Sequence, residues 1–149
     1  MSVKEELLKL CNDYVNQRLQ NVEETILSNQ KALQSETKSS AGDKHETGRA
    51  MLQLEMEKAG QQLQGITLMK ETLTKIDVSK NSTVAHLGSI VTTNIGSYFL
   101  SVSAGKLTVC GTNYFAVSVS SPIGKLLLGK KEKEEVVFNE KEIKVKRIF

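Results

Sequence analysis

The sequence has no tryptophan, a single proline and only 5% aromatic residues, so no one large core is evident and its 149 residues could form one domain or two small ones. Its two cysteines, Cys11 and Cys110, lie far apart and outside any CxxC or Cys/His cluster. That spacing speaks against a zinc site or a disulfide framework, and each is expected to be a small buried apolar residue. No apolar run approaches the roughly 20 residues that span a bilayer. The opening MSVKEELLKL carries charges every few positions, where a secretory signal needs an unbroken apolar stretch. The expectation is a soluble, cytoplasmic protein with no membrane partner. Also missing are a Ser/His/Asp or Cys/His grouping, a phosphate-cradling glycine loop and a metal-ligand cluster, so an independent enzyme is not expected.

The charge that is present is unevenly shared. Residues 1–78 hold ten Lys and Arg against twelve Asp and Glu, a balance of −2. Residues 79–149 hold ten against five, a balance of +5. Opposite signs suggest two modules in different surroundings. The basic half is rich in neither aromatics nor arginine, so direct nucleic-acid binding is not expected.

The hydrophobic pattern divides the chain at the same place. Leu8, Cys11, Val15, Leu19, Val22, Ile26 and Leu33 recur at the spacing of one helical face. Leu52, Met56, Ala59, Leu63, Ile66, Leu73 and Ile76 repeat it, and no proline interrupts either run. Gly60 and Gly65 weaken the second helix by about 1 kcal/mol each relative to alanine. The polar segment SETKSSAGDKHETG between them is a turn signal, placing a turn near Ser39–His45. Residues 1–78 are therefore expected to form an antiparallel helical hairpin with an acidic tip near 39–48. Each arm would be on the order of 45 Å long, with a thin coiled-coil seam.

Residues 79–149 change period. Thr83–Leu87, Ser89–Thr93, Tyr98–Val102, Leu107–Cys110 and Phe115–Val119 are short, β-branched or aromatic, and separated by Gly, Ser and Asn. Ser121-Pro122 then introduces a short helix ending near Gly129, since proline suits the first helical position and glycine the end. Glu135–Asn139 and Ile143–Phe149 complete a closing hairpin, with Ile143, Val145, Arg147 and Phe149 in alternation. The lysine-rich GKKEKEE between helix and hairpin is expected to be a solvated turn. The fold class is α+β: a helical hairpin followed by a small α+β domain.

Two stretches resemble the Gre transcription elongation factors. Gly42-Asp43-Lys44-His45-Glu46 is similar to that family's G-D-x-x-E tip. VSVSSPIGKLLLGKKEKEEVVF, residues 117–138, is similar to its I-S-x-x-S-P-I-x-x-x-L-I-G-K segment before an acidic turn and closing strand. Both occur in the expected order, and hairpin and α+β domain together cover essentially the whole chain. The resemblance implies an FKBP-like fold for residues 79–149, without isomerase activity, docking at the rim of RNA polymerase's secondary channel. It assigns Ser121, Pro122, Ile123 and Gly124 to polymerase binding. It further implies that the hairpin enters the channel, where Asp43 and Glu46 help hold a second Mg²⁺ that promotes cleavage of backtracked RNA. The protein would be an accessory to the polymerase's own chemistry, meeting nucleic acid only through that complex. Mg²⁺ takes one or two protein carboxylates and keeps its other places for water and phosphate, so two donated acids suffice.

The same residues have a plainer explanation. Asp43 followed three residues later by Glu46 is also a helix N-terminal pattern, in which the first caps and the second reaches back. His45 between them is ordinarily a polar loop residue. The family commonly continues N-A-E-Y where this chain has Thr47-Gly48-Arg49-Ala50, replacing an acid by Arg49 and an aromatic by Ala50. That departure leaves open a Gre-like regulator that occupies the channel without stimulating cleavage. A coiled-coil interaction module joined to an unrelated β-rich domain is the third possibility.

Overall fold

The computed structural model describes the backbone of residues 1–38 and 42–149, and the side chains of residues 1–35 and 47–149. Two long helices come first, α1 (Val3–Lys38) and α2 (Gly42–Thr74). Ser2 starts α1: its hydroxyl accepts the Glu5 N–H at 3.1 Å and its carbonyl the Glu6 N–H at 3.1 Å. Residues 42–45, expected within the turn, are instead the start of α2, and the rest of that expected turn, residues 39–41, lies outside the described residues. Acids at 43 and 46 in a first helical turn favour this start, since the helix dipole is positive there. Among the described residues no helix is long and apolar enough to cross a membrane.

Two compact units divide the chain, Val15–Leu68 and the pair of segments Met1–Tyr14 with Met69–Phe149. This division differs from a boundary at residue 78, because the first turns of α1 and the end of α2 group with the sheet rather than with the rest of the hairpin. In the Val15–Leu68 unit the seam follows Val15, Leu19, Val22, Ile26, Asn29 and Leu33, with steps of four and three in alternation. Val15, Val22 and Asn29 are buried and the others half-buried. On α2, Leu52, Met56, Ala59, Leu63 and Ile66 keep the same steps. This is the 3.5-residue repeat of a coiled coil. The apolar stripe visible in the sequence skips from Ile26 to Leu33, and a buried asparagine occupies the position between.

In the other unit, a six-stranded sheet has the order β3-β4-β2-β1-β6-β5. Its strands are β1 (Ile90–Thr93), β2 (Gly96–Ser101), β3 (Gly105–Val109), β4 (Thr112–Ser118), β5 (Glu135–Phe138) and β6 (Lys141–Ile148). The β2–β4 pair is parallel and the remaining pairs are antiparallel. A short helix, α3 (Pro122–Leu127), follows β4. Side chains alternate across the sheet. One face carries Val91, Leu100, Ile143 and Val145, which form a core with Leu127 of α3 and with Ala85. The opposite face carries Ile90, Phe99 and Ser101, all buried. Against it lies the start of α1, where Leu7 and Cys11 are buried and the Cys11 sulfur is 3.7 Å from the Ser101 hydroxyl.

Three local expectations need correction. Thr83–Leu87 is not a strand: only Val84 bridges, to Lys131, with Ala85 also bonded to Gly129 and Lys130. Beyond it His86–Ser89 turns back, with the His86 N–H donating to the Ser89 hydroxyl. Gly88 (φ +93°) permits that turn and passes so close to Ile76 that a Cβ would lie 2.9 Å from its Cγ2. Cys110 is exposed rather than buried, because it and Gly111 are the two positive-φ residues of the β3–β4 hairpin turn. The helix starting at Pro122 ends at Leu127, two residues before Gly129. The GKKEKEE segment is a largely exposed turn, as expected, closed by a bond from the Lys131 N–H to the Glu134 carboxylate.

Candidate functional site

The Ser121-Pro122-Ile123-Gly124 stretch forms the joint between β4 and α3. Ser121 is the N-cap, with extended backbone at φ −71° and ψ 159°. Its hydroxyl accepts the Gly124 N–H at 3.1 Å and donates to the Ser118 carbonyl at 2.6 Å. Pro122 occupies the first turn, where no N–H is required. Ile123 packs against the core. Gly124 is buried, and a Cβ there would overlap the Ser118 carbonyl oxygen. Every residue of the motif therefore has a task inside the domain, and of the four only Pro122 is exposed. A partner meeting this joint would touch Pro122 and the neighbouring exposed Lys125, while Ser121 and Gly124 act by holding the joint's shape.

Asp43 and Glu46 fall in the first turn of α2. Their side chains, with those of Lys44 and His45, lie outside the described residues. Three apart on a helix, the two positions share a face. Arg49 is exposed in the next turn. The two acids thus have a helical backbone three residues apart, and carboxylates are the hard oxygen donors that Mg²⁺ takes. Among the described residues no cluster of three or more His, Cys, Asp or Glu could hold a metal ion.

The faces of Arg147 and Phe149 are not those that alternation along β6 predicts. Alternation from Ile143 through Val145 would carry Arg147 and Phe149 onto the core face. A bulge at Lys146 of β6, opposite Thr92 and Thr93 of β1, breaks that alternation, pairing Thr93 with Val145 but Thr92 with Arg147. Ile148 therefore joins the core, and Arg147 and Phe149 move to the other face. There the guanidinium sits 4.8 Å from the centre of the Phe149 ring, beside a cavity of about 490 Å³. Only the extra residue between two core positions, at Lys146, could have signalled it.

Near that cavity Lys4 is buried, its ammonium donating to the Lys80 carbonyl at 2.9 Å and the Asn81 side-chain oxygen at 3.3 Å. Burial lowers its pKa, and the charge of Asp77 partly restores it. Asp77 itself is held below the usual carboxylate value by the hydroxyl and N–H of Ser79. Comparison with known proteins finds no match to this chain, among family models, curated proteins or solved structures.

Proposed function

We propose that the protein is an RNA polymerase-binding elongation factor whose hairpin enters the secondary channel and stimulates cleavage of backtracked RNA. The observation that carries this reading is the order of its parts. A helical hairpin whose second helix opens on Gly42-Asp43-Lys44-His45-Glu46 precedes a sheet domain containing the Ser121–Gly124 joint. The FKBP-like assignment of that domain, its docking at the channel rim and a cytoplasmic location belong to the same proposal.

The residues' own part is positional. Positions 43 and 46 lie three apart in the first helical turn of α2, a spacing that would let both carboxylates serve one ion. Too few to bind Mg²⁺ tightly alone, they would complete a site whose other ligands come from the polymerase. Bound there, the ion would supply charge neutralisation and water activation.

Arg49 favours a second reading. One turn beyond the acids, its exposed guanidinium stands where the resembling family has a carboxylate, and it would compete for Asp43 and Glu46. A channel occupant that modulates polymerase without stimulating cleavage fits that substitution. Adding the protein to stalled, backtracked elongation complexes and following RNA length with time separates the two. Faster shortening supports the cleavage factor. Polymerase binding with no acceleration at any Mg²⁺ concentration supports the regulator, and no binding at all defeats both.

A further inference from the structure

The cavity beside Arg147 has the build of a ligand site. Its volume of about 490 Å³ lies within the range of small-molecule pockets. Val3, Val78, Ile90 and Phe149 provide an apolar wall, and Thr92 and Ser97 add hydroxyls on the sheet side. Ile90 pairs with Phe149 through two backbone hydrogen bonds of 3.2 and 2.9 Å, so this part of the wall rests on strand pairing. The Ser97 hydroxyl lies 3.4 Å from that of Thr92 across the β1–β2 pair.

Charge decides what such a cavity would take. The Arg147 guanidinium lies over the Phe149 ring, an arrangement that orients the planar fork while leaving its N–H groups for an acceptor. Among the described residues it has no carboxylate partner. The second cation on the wall, Lys4, already donates to Lys80 and Asn81. One free fork matches one carboxylate, which it can meet with two parallel hydrogen bonds. A doubly charged phosphate would carry one charge more than this guanidinium balances.

We propose that this cavity binds a small monocarboxylate with an apolar or aromatic body, its carboxylate on Arg147 and its body against Ile90 and Phe149. The site is independent of the polymerase reading.

The test is a two-dimensional amide NMR titration of the full-length protein with 3-phenylpropionate. Saturable shifts centred on Thr92, Ser97 and Arg147 are expected, with a Kd on the order of a millimolar for a ligand of this size. The neutral amide 3-phenylpropionamide should bind at least about tenfold more weakly, and Arg147→Gln should reduce 3-phenylpropionate to that same level. Ser97→Leu, which fills the cavity, should abolish the shifts, while the rest of each variant's spectrum reports an intact fold. Shifts that stay linear, an amide that binds as well as the acid, or inorganic phosphate that moves the same residues as strongly would each overturn the proposal.

Discussion

The Cα of Gly124 packs against the carbonyl of Ser118, at the point where β4 turns into α3, and leaves no room for a Cβ. The clash is with backbone held by the Ser121 hydroxyl, so it cannot be relieved by rotating a side chain. Gly124→Ala is therefore expected to destabilise the sheet domain by about 3 kcal/mol, at the upper end of ordinary overpacking. Ser121→Ala, which removes the cap, should cost about 1 kcal/mol. Urea denaturation of the two variants measures both, and equal losses would show that the joint yields more readily than its packing implies.

Asn29 is buried in the coiled-coil seam, and among the described residues its side-chain nitrogen has no hydrogen-bond partner. An unsatisfied buried amide costs about 1–3 kcal/mol, so Asn29→Leu should stabilise the helical hairpin by an amount in that range. A polar residue at one seam position can also specify register, at a cost in stability. Helical circular dichroism against temperature measures the gain. A lower melting temperature in the variant would mean that the amide is satisfied by bound water.

The two thiols should differ sharply in reactivity. Burial raises the Cys11 pKa, outweighing its contact with Ser101, whereas Cys110 is exposed in a hairpin turn. The thiolate is the reactive form, so a disulfide-exchange reagent should modify one thiol per native chain and two in denaturant. Fast modification of both in the native protein would show that the contact between α1 and β2 opens readily.

Asp77 should give the fold an acid-sensitive component. Its folded pKa is depressed by Ser79, so the stabilisation is fully present above the ordinary aspartate value and is lost as pH falls through the folded one. Asp77→Asn should therefore reduce stability at neutral pH and flatten its dependence on pH in the acid range. Denaturation midpoints measured from pH 7 downward check this, and curves that stay parallel would exclude a contribution from Asp77.

Asp43→Asn separates the two explanations of the α2 start. Because α2 already begins at Gly42, Asp43 lies inside the first turn rather than at the expected cap. Its charge there meets the helix dipole, so asparagine should cost the hairpin less than about 1 kcal/mol. As a hard-cation ligand it is inferior, because the charge is gone. RNA cleavage slowed by about tenfold or more, with polymerase binding retained, would support the donated-ligand role, each tenfold corresponding to about 1.4 kcal/mol. Unchanged cleavage would leave the helix dipole as the explanation for an acid at this position.

Much of this architecture was legible because it depends on neighbours along the chain. The seam positions from Val15 to Leu33 and from Leu52 to Ile66 follow from helical periodicity. Ser121, Pro122 and Gly124 mark the start of α3 through capping, a preset backbone angle and a missing side chain, all local effects. The residue types within each element were enough to separate a helical hairpin from a sheet domain.

Tertiary structure decided what strand pairing and packing impose from a distance. The bulge opposite Thr92 and Thr93 sends Arg147 and Phe149 to the face opposite Val145, although simple alternation places all three together. Val84 makes an isolated bridge to Lys131 in the segment following α3, to which Ala85 is also bonded, rather than joining a strand. Leu7 and Cys11 are buried against a strand some ninety residues away, a contact no helical stripe specifies. Asn29 fills a seam position that its polarity disguised. Periodicity reports which side chains share a face of one element, but the partner that face meets is chosen only when the elements pack.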